Sequence, residues 1–389
     1  MSKMGSLSKT LFIAFEIVNE LYTAIGSGIL GMIVLLKHGI ISNQPLKTLS
    51  VLTLTTVSLV FISRTTEKLT PSKKKVVLIT GCDSGLGFSI AQHASNMGYT
   101  VVAGFLSLES KGSKQIRNLY GSNIIQIQLD ITNPYSIKAA VETLEHYLDQ
   151  NADYSLHAVI NNAGVMVFGE FEWLTDRLIQ QQIDVNLMGT LKFTKALCPL
   201  LRQYKGRLIT VTSHCSQATL PGLAVYGATK SALTAWSDGI RVELGKYGVK
   251  VVTFIPGSFT MQSNIMANQL QNVQEMHDNL TAEQHNFYSD YFKRYNIYLS
   301  GIKPPSEPVK IEDNVMYRVF ECTLLDKYPK VIYKCQPLRY AFYHTLFKIS
   351  PWCLRDYFVT CFMQMPKYIP VEEKPSDADL EEFDDLDDL

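Results

Sequence analysis

The sequence predicts an α/β fold: a single doubly wound parallel sheet with membrane helices ahead of it. Three observations carry this. Short apolar runs alternate with helix-like stretches from Lys75 onward, and a glycine-rich turn directly follows the first run. Strands alternating with helices imply parallel pairing, because each return to the sheet needs a crossover. Two apolar segments precede Lys75 and stand apart from that alternation. With 389 residues and 46% hydrophobic content, the chain can hold one large domain of roughly 250–270 residues plus extensions.

The first apolar segment, Leu11–Leu36, is interrupted by Glu16, Asn19 and Glu20, and its cleaner core is Leu21–Leu36. The second, Leu46–Ser63, carries Lys47 as its one charge. Each is near the ~20 residues that cross a ~30 Å hydrocarbon layer. Neither ends in a small-residue cleavage site, which argues against a removed signal peptide. Lys3 and Lys9 precede the first segment, and Arg64, Lys68, Lys73, Lys74 and Lys75 follow the second. The loop between them offers Lys37 and Lys47. Two spans then form a hairpin with the N-terminus and the following domain on the cytoplasmic side. The alternative is an interfacial first helix and one span, which puts the two on opposite sides.

Lys+Arg and Asp+Glu both number 36, so no global basic signal points to nucleic acid. The balance hides a segregation. Glu372–Leu389 holds ten acidic residues and Lys374, leaving the rest of the chain net positive. Such a block is expected to be disordered and solvated. Seven cysteines are scattered without a Cys-x-x-Cys pair or a nearby histidine cluster. They read as small apolar thiols in a reducing compartment, and no metal is expected.

Val76–Thr80 reads as a buried parallel strand. It runs into Thr80-Gly81-Cys82-Asp83-Ser84-Gly85-Leu86-Gly87 and then a helix-like Phe88–Met97. A strand, glycine turn and helix in series put a pyrophosphate on a helix N-terminus, as in Rossmann-type folds. An ordinary tight turn is the competing reading. Further along, Leu208–Thr212 reads as another buried strand ending at Ser213. Tyr226 follows 13 residues later, with Lys230 four beyond it on the same helix face. A tyrosine hydroxyl, with a pKa of about 10, is too weakly acidic to act as a base at neutral pH. A nearby ammonium favours the phenolate and is expected to lower that value. Ser213 can hold a substrate oxygen beside Tyr226 while Tyr226 exchanges the proton.

The Thr-Gly-x-x-x-Gly-x-Gly turn, Ser213 and Tyr226-x-x-x-Lys230 together resemble the short-chain dehydrogenase/reductase superfamily, over about Lys75–Tyr333. The resemblance recurs at Asp130, after the strand Ile124–Leu129, where the family contacts the adenine. It recurs at Asn161-Asn162-Ala163-Gly164, after the strand Ala158–Ile160, beside the cofactor. It implies Asn186, on a long helix, as a fourth catalytic member, holding a water that relays protons to the lysine. A polar residue at a kink is the competing reading. Pro256-Gly257, after the strand Val251–Ile255, belongs to the loop that contacts the carboxamide. The thr expected five residues after the proline is replaced by Met261, with Thr260 one earlier, so Ser258 or Thr260 is a substitute. His214 follows the strand end and is expected to point away from Ser213.

Cofactor and branch follow from the same comparison. Val101–Ser107 carries neither a cation for a 2′-phosphate nor an acid for the ribose, and the turn carries Asp83; this favours NAD over NADP. The turn and Ser237–Leu244 look like the branch of retinol dehydrogenases, type 2 17β- and 11β-hydroxysteroid dehydrogenases and 3-hydroxybutyrate dehydrogenase. The apolar N-terminal pair resembles the layout of the type 2 17β enzymes. That branch implies a membrane-associated enzyme, at the endoplasmic reticulum with a mitochondrial membrane as alternative, and a homodimer or homotetramer.

The expected organisation is a membrane anchor at 1–70, a catalytic domain at 71–335, an aromatic and basic segment at 336–370, and an acidic tail at 371–389. Ser258–Asn296 reads as a lid over an apolar substrate, carrying Met261, Met266, Phe287, Tyr288, Tyr291 and Phe292. Helix-face packing is the competing reading. Gln336–Ile369 mixes aromatics with Arg339, Lys348, Arg355 and Lys367, and reads as a headgroup contact, a cap over the substrate mouth, or both. Asn279-Leu280-Thr281 matches a glycosylation sequon without meaning in a cytoplasmic domain. The leading function is NAD-dependent oxidation of an alcohol, or reduction of its carbonyl, on a steroid- or retinoid-like lipid. The alternatives are a small hydroxy-acid dehydrogenase, with Lys293 and Arg294 as candidate carboxylate grips, and a non-catalytic cofactor-binding scaffold.

Overall fold

A computed structural model of the chain describes residues 67–370, apart from 260–261 and 303–304, together with residue 37. The two apolar N-terminal segments, Thr260 and Met261, and the acidic tail lie outside the described residues. Among the described residues, no helix is long and apolar enough to cross a membrane.

Seven parallel strands form one sheet: β1 (Lys75–Ile79), β2 (Thr100–Phe105), β3 (Ile124–Gln128), β4 (Ser155–Asn161), β5 (Arg207–Val211), β6 (Lys250–Ile255) and β7 (Ile332–Lys334). Their order across the sheet is 3-2-1-4-5-6-7. The chain therefore reverses direction around β1, whose neighbours are β2 and β4. Ligands of such sheets sit at that switch point, beyond the carboxyl ends of the strands.

The strands are nearly continuous apolar runs because helices cover both faces. Alternation along β1 divides its side chains. Val77 and Ile79 pack with α1 (Gly85–Asn96) and α9 (Asn314–Leu325), through Phe88, Ile90, Met316 and Phe320. Val76 and Leu78 pack on the other side with α3 (Pro134–Gln150) and α5 (Thr190–Tyr204), through Leu144, Leu148, Phe193 and Leu197. The remaining helix on the β2 side is α2 (Lys111–Tyr120).

Beyond the carboxyl ends lies a separate apolar cluster around Trp173. It joins the loop after β4 to α7 (Gln269–Asn279) and α8 (Ala282–Ser300). The Trp173 ring meets Phe292 and Tyr295 edge-on at 4.9 Å, and Tyr288 at 5.4 Å. Thr281 starts α8 with a capping box, accepting from the Gln284 amide while Gln284 accepts from Thr281. This gives the threonine of the sequon a structural task. The chain ends in a helical pair, α10 (Leu338–Ile349) and α11 (Trp352–Met363).

Removing the Trp173 ring leaves a void where four aromatic neighbours meet, and burial of 98% at this position leaves no solvent route to fill it. Trp173→Ala is expected to cost about 3–5 kcal/mol, read as a lower unfolding midpoint. Tyr135→Ala, on the exposed start of α3, is expected to change it by less than about 0.5 kcal/mol.

Candidate active site

The glycine turn is held from below by β4. Thr80 Oγ1 accepts from the backbone amides of Asn162 and Ala163, each at 3.0 Å. In return Asn162 Nδ2 donates to the carbonyls of Thr80 (2.9 Å) and Gly81 (3.0 Å). The turn is pressed so close that only glycine fits. Gly81 has φ +70°, and a Cβ there would lie 2.8 Å from the Ala163 backbone. A Cβ on Gly87 would overlap the Gly81 carbonyl and the Asn162 amide. Asn161, the previous residue, is buried and donates to Thr194 Oγ1 on α5 at 2.7 Å.

Ser84 caps α1 in an extended conformation without a side-chain cap bond. The first amides of α1 therefore face the cleft without a side-chain acceptor, which suits a phosphate. Asp83 does not join that cradle. Its carboxylate accepts from the Leu106 amide at 2.9 Å, just past β2. Asp130 is likewise turned to its own loop, accepting from the Thr132 amide (2.8 Å) and hydroxyl (2.7 Å).

Ser213 lies two residues past the end of β5, and its hydroxyl accepts from the Cys215 amide at 3.2 Å. Tyr226 and Lys230 both lie on α6 (Ala224–Gly245) and are buried. Lys230 Nζ donates to the Val211 carbonyl at 3.2 Å and sits 5.8 Å from the Tyr226 ring centroid. Burial pushes the Tyr226 phenol above its ordinary value, as does the Cys215 thiol; a hydrogen bond with Ser213 opposes them. Burial also lowers the Lys230 ammonium to about 8. The direction for Tyr226 is opposite to the one expected from its lysine neighbour: loss of water on burial is the largest cause.

Asn186 lies not on a regular long helix but in a π-helical stretch, Ile183–Gly189, between α4 (Asp176–Gln182) and α5. The wider turn carries its side chain across to the strand-end loop. Its Oδ1 accepts from the Val165 amide at 2.7 Å, and its Nδ2 donates to the Val165 carbonyl at 2.8 Å and Thr229 Oγ1 at 3.2 Å. A Cβ on Gly164 would touch both Asn186 Oδ1 (3.2 Å) and Lys230 Nζ (3.4 Å). The glycine thus lets those two groups converge.

One cavity of about 1110 Å³ runs over these groups. Gly81, Asp83, Ser84, Gly85, Leu86, Asp130, Asn162, Ala163, Gly164, Ser213, Tyr226, Lys230, Pro256 and Gly257 all line it. Thr80, Gly87 and Asn186 lie behind that wall, fully buried or nearly so. Ser258 lines it as well.

The start of the expected lid, Ser258, Phe259, Ser263, Asn264, Ile265 and Asn268, lines the cavity, but the expectation for its aromatic side chains needs correction. Tyr288, Tyr291 and Phe292 are packed on Trp173, with the Tyr288 and Tyr291 hydroxyls bonded to Glu172 and Glu170. They are core, because their helix face turns toward the protein. Phe287 instead stacks on Tyr368 at 5.3 Å, away from the cavity. Much of the wall comes from residues the sequence did not single out, Met166, Phe168, Cys215, Leu220 and Leu223 near Tyr226 and Tyr298, Leu299 and Ile302 farther along, and the rest from the segment expected as a cap: Arg339, Tyr340, Phe362, Met363 and Met365. The last five show that α10, α11 and the segment after them cap the cavity. His214 points away from Ser213 into this cap, 3.2 Å from the Cys335 carbonyl and with its ring tilted against Tyr340 and His344.

The residues present fit a nicotinamide dinucleotide: a glycine cradle with open helix amides at one end, and a buried tyrosine and lysine at the other. The short chain dehydrogenase family model matches residues 75–273. The chain belongs to the short-chain dehydrogenase family. Estradiol 17-beta-dehydrogenase 2 of Mus musculus is 36% identical over 274 residues, covering 69% of this chain and 71% of that protein. Its counterpart in Rattus norvegicus is 32% identical over 336 residues, covering 85% and 86%. The mitochondrial D-beta-hydroxybutyrate dehydrogenase of Mus musculus is 36% identical over 193 residues, covering 49% and 56%. This short-chain dehydrogenase is thus an oxidoreductase of the branch expected from the glycine turn and Ser237–Leu244.

Gly87→Ala tests the cradle. The methyl group meets a backbone carbonyl and a clamped amide, neither of which can yield cheaply. Dinucleotide affinity measured by calorimetry is expected to weaken at least roughly tenfold, about 1.4 kcal/mol, with secondary structure retained by circular dichroism.

Proposed function

We propose that this enzyme uses NAD to interconvert an alcohol and a carbonyl on an apolar lipid such as a steroid or retinoid. The carrying observation is the placement of Ser213, Tyr226 and Lys230 in a cavity whose far wall is Tyr298, Leu299, Ile302, Phe362, Met363 and Met365. A large apolar wall with a few convergent polar groups selects an apolar substrate with one reacting oxygen.

In this reading Ser213 Oγ holds the substrate oxygen, and Tyr226 takes its proton during oxidation or returns it during reduction. NAD, when bound, supplies the hydride acceptor at the nicotinamide ring. Lys230 binds the nicotinamide ribose and keeps positive charge beside Tyr226. Asn186 is a positioning residue: it braces Val165 and Thr229 next to Lys230.

Two observations support NAD over NADP. The Asp83 carboxylate stands at the carboxyl end of β2, where a 2′-phosphate would approach. The cations that follow are engaged elsewhere: Lys111 with Glu307 at 2.6 Å, Lys114 with Glu109 at 3.1 Å, and Arg117 with the Leu108 carbonyl at 3.3 Å.

A hydroxy-acid substrate is the second reading, and one observation favours it in part. Lys293 and Arg294 do not line the cavity, and Arg294 is bonded to Asp290 and the Lys367 carbonyl. Arg339 does line it, donating to the Phe362 carbonyl at 2.7 Å. A carboxylate grip would therefore fall to Arg339. The intact catalytic set speaks against a non-catalytic scaffold. We place the enzyme at the endoplasmic reticulum, with its catalytic domain facing the cytoplasm.

Turnover of a panel of steroids, retinols and 3-hydroxybutyrate with NAD, followed by NADH fluorescence, tests the substrate class. Activity on the apolar compounds is expected; activity on 3-hydroxybutyrate alone, lost in Arg339→Met, would establish the second reading. Tyr226→Phe is expected to lower kcat by roughly 10²–10⁴-fold, and unchanged turnover would refute the role of Tyr226. The pH profile has a definite sign. Oxidation needs Tyr226 to accept a proton, and burial raises its pKa. The oxidation rate should therefore climb through the alkaline range while the reduction rate falls, and a flat profile would contradict this.

A further inference from the structure

The helical pair α10–α11 turns large apolar side chains outward at its connecting end. Trp352 is 74% exposed, Tyr357 63% and Ile349 55%, with Leu354 and Phe342 about half exposed. Ile349, Trp352 and Leu354 are separated only by the Ser350-Pro351 turn and Cys353, so they form one tip. Scattered single exposed hydrophobics are ordinary, but an outward cluster of this kind marks a contact surface.

The charges around the tip are mostly basic. From Gln336 to Pro370 the charged residues are Arg339, Lys348, Arg355 and Lys367 against Asp356. Arg355 lies over the Trp352 ring at 4.7 Å, so cation and aromatic face are presented together. Each helix has 12 residues, about 18 Å at ~1.5 Å per residue, too short for a ~30 Å layer. Short helices with Trp and Tyr outward and a basic flank lie in the headgroup region of an anionic bilayer. The same two helices contribute Arg339, Tyr340, Phe362 and Met363 to the cavity wall. The exposed tip and the cavity cap are one structural unit.

We propose that the α10–α11 tip seats in the headgroup layer of an anionic membrane and sets the cavity cap against that surface. The contact is additional to the N-terminal segments and does not depend on which substrate is turned over. An apolar substrate dissolved in the bilayer would reach the cavity from the lipid side of the cap.

Trp352 makes this measurable, because Trp173 is buried and Trp236 is partly covered by the core that holds α3 and α5. The full chain is reconstituted in phosphatidylcholine vesicles, with and without phosphatidylglycerol, whose acyl chains are brominated near the headgroup. Tryptophan emission is expected to be quenched, and the quenching to be lost in Trp352→Phe. Lys348→Glu with Arg355→Glu should diminish the quenching in the phosphatidylglycerol vesicles and leave turnover of a water-soluble alcohol unchanged. Equal quenching in wild type and Trp352→Phe overturns the proposal. So does crosslinking of Trp352→Cys to residues 11–63 of the same chain, or to a second copy, since either would mean that protein covers the tip.

Discussion

The reciprocal bonds between Thr80 and Asn162 are the constraint on which the site depends. They tie the carboxyl ends of β1 and β4 together at the one place where neighbouring strands belong to different halves of the sheet. A doubly wound sheet opens a crevice there in any case. The clamp decides its depth. It pulls the Gly81 carbonyl against Asn162, forces a left-handed turn at Gly81 and Gly85, and aims the start of α1 into the crevice. Without it the glycine spacing would describe only a flexible loop.

From this crevice the chemistry is arranged by burial as much as by charge. Tyr226, Lys230 and Cys215 share one enclosed space, and enclosure moves the phenol up and the ammonium down. Both shifts come from the cost of ionising a group away from water. A tyrosine that resists ionisation is a proton donor first and a base only when the substrate, cofactor and lysine charge favour it. The π-helical turn at Asn186 serves the same enclosure. It spends regular helix geometry to bring an amide across to Val165 and Thr229, which fixes the floor under Lys230. Such turns recur at functional positions for this reason.

The other end of the cavity is closed by a different means. Most aromatic side chains of α8 pack on the Trp173 cluster and support the wall from behind, while Tyr298 lines the cavity. Closure falls to the chain beyond β7. Its residues face two ways: Phe362 and Met363 inward, Trp352 and Tyr357 outward. Arg294 binds the Lys367 carbonyl and Tyr298 the Met363 carbonyl, so α8 anchors the cap it does not itself provide.

By itself the sequence determined the parallel sheet, the glycine turn and the candidate reacting groups. Buried parallel strands must be apolar on both faces, and a turn that lets backbone approach a phosphate must be glycine; both demands leave local marks, at Val76–Ile79 and Gly81–Gly87. Tyr226 and Lys230 were legible because helix periodicity puts residues four apart on one face. Tertiary structure alone decided which hydrophobic side chains face the substrate. Tyr291 and Met363 look alike as sequence, but one packs on Trp173 and the other lines the cavity, and that depends on how distant helices dock. The direction of the Tyr226 shift was decided in the same way, because desolvation is set by everything packed around a group and not by its neighbour four residues along.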